Sequence, residues 1–459
     1  MPTRKNLRLV AATAAAVALT GGLLTVSAGT AAAAPAKYAD DFNGDGYRDF
    51  ATGGSGSVTV TYGTASGPGT KVKTFTQSSA GIPGTAGDSG GYADMFGDSL
   101  ATADFNRDGY ADLAVGDGSE KVGSRAAAGA VTVVWGSKSG LSSTATRIPL
   151  KSPHAGYEFG ASLATGDFNG DGKIDLAVTD VESVYIYRGG FAKSGTTGKV
   201  TRHTPAPGAG NMLEPAGLVA GKVTKDAATD LYVLGQGYRN NRATSVAWFL
   251  RGGSTVKAGK FTTYNTSSPN YGPSGVIADF DKNGYGDLAV GDHPYNKGAG
   301  AVFVLRGGSS GPTTGYRLTQ ATAGVVTGAT GGDAFGSTVS AGDTNRDGYP
   351  DLAVGVPGEK IGTAKHAGGV HVLRGGKKGL TGTGSQWFNL QTAGVPGDAT
   401  EYSGFGWFIR LRDLDRDGDA DLLASGGSYE QSGVLLPGGT KGITAASARV
   451  IPLLAAFPQ

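Results

Sequence analysis

Short acidic segments recur along this chain with side chains at fixed offsets. Six near-copies of one nine-residue pattern, D-x-[DN]-x-[DN]-G-x-x-D, begin at Asp41, Asp104, Asp167, Asp279, Asp343 and Asp413. Their odd positions are Asp41, Asn43, Asp45, Tyr47 and Asp49 in the first copy and Asp104, Asn106, Asp108, Tyr110 and Asp112 in the second. The third has Asp167, Asn169, Asp171, Lys173 and Asp175, and the fourth in this series has Asp279, Asp281, Asn283, Tyr285 and Asp287. The last two have Asp343, Asn345, Asp347, Tyr349 and Asp351, then Asp413, Asp415, Asp417, Asp419 and Asp421. Alternate oxygen-bearing side chains in a tight loop can converge on one point. That suits Ca²⁺, which takes six to eight oxygen ligands at about 2.3–2.6 Å. Positions one, three, five and nine are expected to ligate through side chains, and position seven through its backbone carbonyl. The glycine at position six permits the positive φ that bends the chain around the ion.

Without a cation, carboxylates crowded in one loop repel by roughly 1–4 kcal/mol per pair at effective dielectrics between water and protein surface. An EF-hand would need a bidentate Glu at its twelfth position. That position holds Val115 in the second copy and Val178 in the third, so these loops belong in hairpins between strands. A seventh segment, Lys222–Asp230, keeps the length but carries Lys222, Thr224, Asp226 and Asp230 at the ligand positions and Ala227 in place of the glycine. No ion is expected there. Its Lys222 ammonium is expected to neutralise Asp226 and Asp230 instead.

Other chemistry finds little support. There is no cysteine, which excludes disulfides, thiolate metal sites and cysteine nucleophiles. The Gly87–Gly91 segment around Ser89 spells a serine-protease signature, but the first histidine is His154, and that order requires a preceding His and Asp. The Gly307–Gly311 segment around Ser309 lacks the helix pattern that a nucleophile elbow needs. His154, His203, His293, His366 and His371 show no metal-ligand spacing. No catalytic residue is assigned.

The elements that must hold these loops read as strands. Alternating runs precede the motif (Ser99, Ser162 and Thr338 onwards), and apolar runs follow it from Asp112, Asp175, Asp287 and Asp351. A third run ends in glycine in each unit, and a weaker fourth starts near Arg147, Tyr316 and Arg449. β-Branched and aromatic residues with period-two alternation indicate strands. The copies start 55 to 70 residues apart. Four-stranded units of this size close into a propeller, which leaves only short protected edges. The expected fold is therefore all-β, a seven-bladed β-propeller of four-stranded blades, occupying residues 35–459.

Composition agrees. Eighty-one of 459 residues are glycine, which disfavours long helices, while 39% hydrophobic residues suffice for a core. Residues 1–34 have the layout of a Sec-type signal peptide: basic Arg4, Lys5 and Arg8, an apolar Leu9–Val26 run, and alanines ending at Ala34. Cleavage is expected between Ala33 and Ala36, giving a secreted product with no membrane span. Without the three basic leader residues, 37 basic side chains face 38 acidic ones. Nothing in that balance favours nucleic acid or a membrane surface.

The motifs, with Phe96-Gly97, Phe159-Gly160, Phe335-Gly336 and Phe405-Gly406 before them, resemble FG-GAP repeats, the blades of the integrin α-subunit propeller. Gly355-Val356-Pro357 is the nearest match to that family's G-A-P element, and units one, four and five lack the Phe-Gly pair. The resemblance implies calcium loops on one face and ligands on the other face or at blade interfaces. The expected function is a monomeric binding or adhesion module for an extracellular protein or glycan. A lectin with blade-interface pockets and a polysaccharide-cleaving enzyme are the alternatives. Long loops expected to carry ligand contacts contain Tyr92, Asp94, Glu120, Arg125, Glu359, His366, Tyr402, Trp407 and Tyr429.

Overall fold

The structure, a computed structural model, describes residues 34–54, 56–87, 95–205, 212–239, 242–270, 272–426 and 432–452. The leader through residue 33, Ser89, Tyr92, Asp94 and Tyr429 lie outside the described residues. Seven antiparallel sheets follow one another along the chain, six of four strands and one of three. Within each sheet the strands are ordered as in the sequence, so each unit is a meander and each meander is a blade.

The first blade consists of β1 (Phe50–Gly54), β2 (Ser57–Thr64) and β3 (Gly67–Thr76). The second contains β4 (Ser99–Ala103), β5 (Asp112–Asp117), β6 (Ala130–Val134) and β7 (Ala145–Arg147). In each complete blade the motif loop joins the inner strand to the second, as between β4 and β5. The hairpin between second and third strands, and the crossing to the next blade, therefore emerge on the opposite face.

All residues of β5 are buried, because neighbouring blades cover both faces of the sheet. This is why the second strand reads as a continuous apolar run and not as an alternating one. The core is a series of clusters between adjacent blades. Val58 and Val60 of the first blade pack on Leu100, Leu113 and Val115 of the second, and Phe159 and Leu176 of the third pack on Ala101 and Val131 of the second.

The Phe-Gly pairs seat each blade on the one before. Phe96, Phe159, Phe335 and Phe405 are all at most 2% exposed. Gly160 donates its N–H to Thr179 O at 2.9 Å and has φ 100°. A Cβ there would lie 2.6 Å from the Ala130 carbonyl of the preceding blade, so only glycine allows the approach.

The ring closes by packing, without a sheet shared between its ends. Phe50 of the first blade joins Leu414, Leu423, Leu435 and Ile451 of the last in one cluster, and Arg449 donates to the Ser66 carbonyl.

Candidate metal loops and ligand face

Each motif loop is a chain of side chains accepting from the backbone. In the second loop, Asp104 accepts from Asp108 N at 3.1 Å and Gly109 N at 3.0 Å. Asn106 Oδ1 accepts from Asp108 N at 2.9 Å, and Asp108 Oδ1 accepts from Tyr110 N at 3.2 Å. The first loop repeats this with Asp41, Asn43 and Asp45, and the third with Asp167, Asn169 and Asp171. Asp279, Asp281 and Asn283 do the same, as do Asp343, Asn345 and Asp347. The side chains at positions one, three and five are thus brought together in every loop. Position four turns through left-handed backbone, with φ near 59° at Arg107, 57° at Lys282, 59° at Arg346 and 68° at Arg416.

The ninth position has a second task that residue spacing did not reveal. Its carboxylate bridges the loop to the end of the third strand. Asp112 accepts from Phe105 N at 2.9 Å and Gly136 N at 2.8 Å. Asp49 joins Phe42 N and Gly63 N, Asp175 joins Phe168 N and Gly189 N, and Asp421 joins Leu414 N and Gly438 N. Asp351 adds Arg374, whose Nη1 lies 2.8 Å away. All seven ninth-position aspartates are buried. Burial is the main force pushing Asp49 and Asp112 up to about 7 and Asp175, Asp287 and Asp421 up to about 6, while the backbone donors oppose it and neighbouring loop acids reinforce it.

The donor set fits a hard divalent cation. Asp413, Asp415 and Asp417 bring ligand oxygens within 4.8 Å of one another. Asp413 Oδ1 and Asp287 Oδ2 are buried with no hydrogen-bond partner among the described residues. Crowded oxygens with orphaned lone pairs match calcium's preference for oxygen ligands.

The loop at Lys222 differs as its sequence suggests, but its lysine does something else. Lys222 Nζ donates to the Ala227 carbonyl and does not meet the acids. Asp226 pairs with Arg251 at 3.1 Å. Asp230 keeps the clasp, accepting from Thr224 N at 2.7 Å, Thr224 Oγ1 at 2.8 Å and Gly252 N at 2.9 Å. The expected Lys222 neutralisation is therefore corrected. The physical reason is reach: backbone donors already occupy Asp230, and Arg251 lies closer to Asp226.

Position four also links neighbouring loops. Lys225 sits 4.1 Å over the Tyr285 ring, Lys282 5.2 Å over Tyr349, and Arg416 3.6 Å over Tyr47. Arg346 instead reaches Asp417 and Asp419, each at 2.8 Å. In each case a cation at position four of one loop meets position seven of the next. The Arg416–Tyr47 contact carries the pattern across the seam between last and first blades.

The opposite face carries an aromatic cleft at the junction of the sixth and seventh blades. His366, Tyr402 and Trp407 line a cavity of 330 Å³ together with Pro357 and Gly332. The His366 and Tyr402 rings stack with centroids 5.2 Å apart and planes 16° apart. Tyr402 is 66% exposed and Trp407 50%. Their loops are zipped together by Tyr402 N to Lys365 O and Gly404 N to His366 O, both at 2.9 Å. The same zipper recurs between blades two and three, where Gly156 N meets Ala126 O and Glu158 N meets Ala127 O. His366 and Tyr402 thus stand where that junction has Ala127 and Gly156. Both have positive φ, 52° and 62°, which costs a non-glycine residue roughly 1–2 kcal/mol.

Glu120 and Glu359 lie further back. Glu120 is buried against Gln77 and Arg147. Glu359 accepts from Gln320 at 2.6 Å, and burial pushes its carboxyl up to about 7. The Gly307–Gly311 segment is a turn whose first N–H serves the Asp287 clasp at 2.9 Å.

An FG-GAP-like repeat model matches residues 41–115 and 104–178, and an FG-GAP repeat model matches 335–373. Residues 41–178 and 335–373 thus carry FG-GAP-type repeats. Part of it is 33% identical over 168 residues to the phosphatidylinositol-glycan-specific phospholipase D of Rattus norvegicus, covering 34% of this chain and 19% of that protein. Integrin alpha-3 of Mus musculus is 32% identical over 174 residues, covering 36% of this chain and 15% of that protein. The match therefore spans about a fifth or less of these relatives. Among solved structures, an Aleuria aurantia lectin with α-methyl-L-fucoside overlaps 80% of this chain and 95% of its own, at 11% identity and a TM-score of 0.37. Among the described residues no helix is long and apolar enough to cross a membrane.

Proposed function

We propose that this FG-GAP propeller is a secreted, calcium-braced binding module whose ligand, a glycan or an extracellular protein surface, docks on the face opposite the motif loops. Six loops would hold the ions, through positions one, three, five and nine and the carbonyl of position seven. The ions would neutralise the loop acids and stiffen the blade hairpins, and residues 1–34 would direct export.

The observation that carries the ligand assignment is the His366–Tyr402–Trp407 cleft. Folding alone favours small residues at the first two positions, as Ala127 and Gly156 show between blades two and three. Large aromatic rings held there at a conformational cost, and left exposed, are suited to contact with another molecule. Flat stacked rings beside an indole offer the apolar faces of a sugar a platform. This favours a glycan over a protein.

The test is a glycan array probed with the full chain in calcium, followed by calorimetry on any hit with Trp407→Ala and Tyr402→Ala. Each substitution is expected to weaken binding at least tenfold without lowering the melting temperature. Hits unaffected by either substitution would remove the cleft as the site. New reducing or unsaturated ends released from a bound polysaccharide would reassign the module as an enzyme.

A further inference from the structure

Among the described residues the first blade is one strand short. β1 pairs with β2 from Phe50↔Thr61 to Gly54↔Ser57, and among the described residues no strand pairs with its other edge. In the other six blades that place is held by an inner strand of four to ten residues. Only Asp40 keeps its expected position, accepting from Asp49 N at 2.8 Å. This corresponds to the Ala103↔Asp112 pair of the second blade. Before Asp40 the chain turns away: Ala36 N donates to Asp104 Oδ2 at 2.9 Å, and Tyr38 lies 4.4 Å from the Arg48 guanidinium. What remains is a slot beside the ring axis, bounded by Phe50 and Ala51 of β1, Leu100 and Thr102 of β4, and Arg410 and Arg412 of the seventh blade.

Those two arginines are the second observation. They alternate along the strand Phe408–Arg412, while Ile409 and Leu411 between them turn back into the core shared with the sixth blade. Arg410 and Arg412 therefore share the face toward the first blade. Both are half-buried, and among the described residues neither guanidinium makes a hydrogen bond or an ion pair. The nearby Arg48 is satisfied by Asp40, at 2.8 and 3.1 Å. Asp40 and Asp49 line the slot with Arg48, and Asp40 attracts both arginines. Its carboxylate bonds Arg48, however, and that of Asp49 bonds backbone N–H groups. Further along the axis the walls are apolar, as at Leu163, Val219, Ile277 and Ala341. Two half-buried guanidiniums there lack the directly hydrogen-bonded carboxylate that such charges normally have.

The chain's own upstream segment is a poor occupant. Aligned with Ser99–Asp104, it would place Lys37 at the position of Leu100, which packs toward the preceding blade. In the slot, Lys37 would face Arg410 and Arg412 as a third like charge, which opposes its entry.

We propose that the slot is a docking site for an extended acidic peptide of a partner protein, which adds as a strand to the free edge of β1 and sets two carboxylates on Arg410 and Arg412. Residues two apart on a strand repeat every ~6.6 Å, so a Glu-x-Glu spacing matches the spacing of the two arginines on theirs. Main-chain pairing supplies affinity and the alternate side chains supply specificity. This site is separate from the aromatic cleft and does not rest on the ligand proposed there.

The experiment is fluorescence anisotropy of a labelled Val-Glu-Val-Glu-Val-Glu peptide titrated with the full chain in calcium. Saturable, salt-sensitive binding is expected. Arg410→Gln with Arg412→Gln should weaken it at least tenfold, and a lysine-for-glutamate peptide should not bind. A peptide N-methylated at alternate residues keeps its charges but cannot pair as a strand, and it should also bind at least tenfold more weakly. Lys37→Glu should let the chain's own segment enter the slot, exclude the peptide and leave the fold intact. No saturable binding, equal binding of the N-methylated peptide, or unchanged affinity in either protein variant overturns the proposal.

Discussion

Blades two and four perform the same turn by different means. Both close the hairpin with a buried ninth-position aspartate that accepts from the loop and from a third-strand glycine. Blade two adds Asp104, Asn106 and Asp108 around one point, and its strands are five, six, five and three residues long. Blade four has a lysine where the first ligand would be, and its strands run ten, ten, ten and nine residues. Its sheet also stacks Trp248 on Phe261, with ring centroids 5.3 Å apart. The clasp is the shared device. Where the loop lacks acids, a longer hydrogen-bonded ladder braces the blade.

The largest expected effect is removal of calcium. Extracellular modules bind it with Kd of about 10⁻⁴–10⁻³ M. At roughly 1 mM calcium that amounts to about 0.4–1.4 kcal/mol per site, or about 2–8 kcal/mol over six sites. A chelator should lower the melting temperature accordingly. Hydrogen exchange should accelerate around the second loop and stay slow around Lys222–Asp230. Equal acceleration in the two loops would abolish the distinction between the blades.

The clasp gives the next effect. Asp112→Ala and Asp230→Ala each strand two inward-facing N–H groups, at about 2–5 kcal/mol by urea denaturation. The loss at Asp230 should be the same with and without calcium, whereas the loss at Asp112 should be larger with it. If Asp230→Ala costs nothing, the ninth position matters only through an ion.

Much of this organisation was legible in the residues. The period of the acidic motif and the alternating runs around it specify the blade count and most strand positions, because each blade repeats the same local solution. Strand lengths in blade four were not legible, since the ladder of Met212–Gly221 with Asp230–Arg239 extends through residues with no alternation, such as Glu214 to Gly217. The clasp was hidden for a different reason. An aspartate at position nine satisfies both a ligand pattern and a backbone bridge, and only the arrangement of Gly136 against the loop separates them. Arg410 and Arg412 looked like ordinary strand residues. Their significance comes from the place beside β1 that no strand fills among the described residues, and the charge of Lys37 and bulk of Tyr38 in Ala36–Asp40 are its local sign.

Acidity should reverse the sign of the calcium effect. In metal-free protein, Asp49 and Asp112 near 7 and Asp175, Asp287 and Asp421 near 6 sit above the ordinary unfolded value of about 3.9. Groups raised on folding stabilise most at low pH and lose that contribution as pH rises through their folded values. Metal-free protein should therefore melt higher at pH 5.5 than at pH 8, with roughly 2 kcal/mol from each of Asp49 and Asp112 and roughly 1 from each of the other three at most. Calcium requires ionised ligands, so the calcium-loaded protein should show the opposite slope. Parallel slopes in the two forms would mean that these carboxylates do not meet the ion.

The smallest effect is also the most direct test of why blade four differs. Lys222→Asp, Thr224→Asn and Ala227→Gly together restore the acidic pattern around the existing Asp226 and Asp230. With an aspartate at position one and a glycine at position six, the loop could form the bond that Gly109 N makes to Asp104 at 3.0 Å in blade two. Arg251, which holds Asp226 at 3.1 Å, would have to release it, and that limits the gain. A seventh ion should bind and add about 0.4–1.4 kcal/mol at roughly 1 mM calcium. Metal analysis of the dialysed protein should then rise by one calcium per chain, and the melting temperature of the triple variant should become more sensitive to chelator than that of the parent. If the variant folds but gains no ion, the acidic side chains alone do not make the site. The left-handed turn at position four, present at Arg107 but not at Lys225, would then be what blade four lacks.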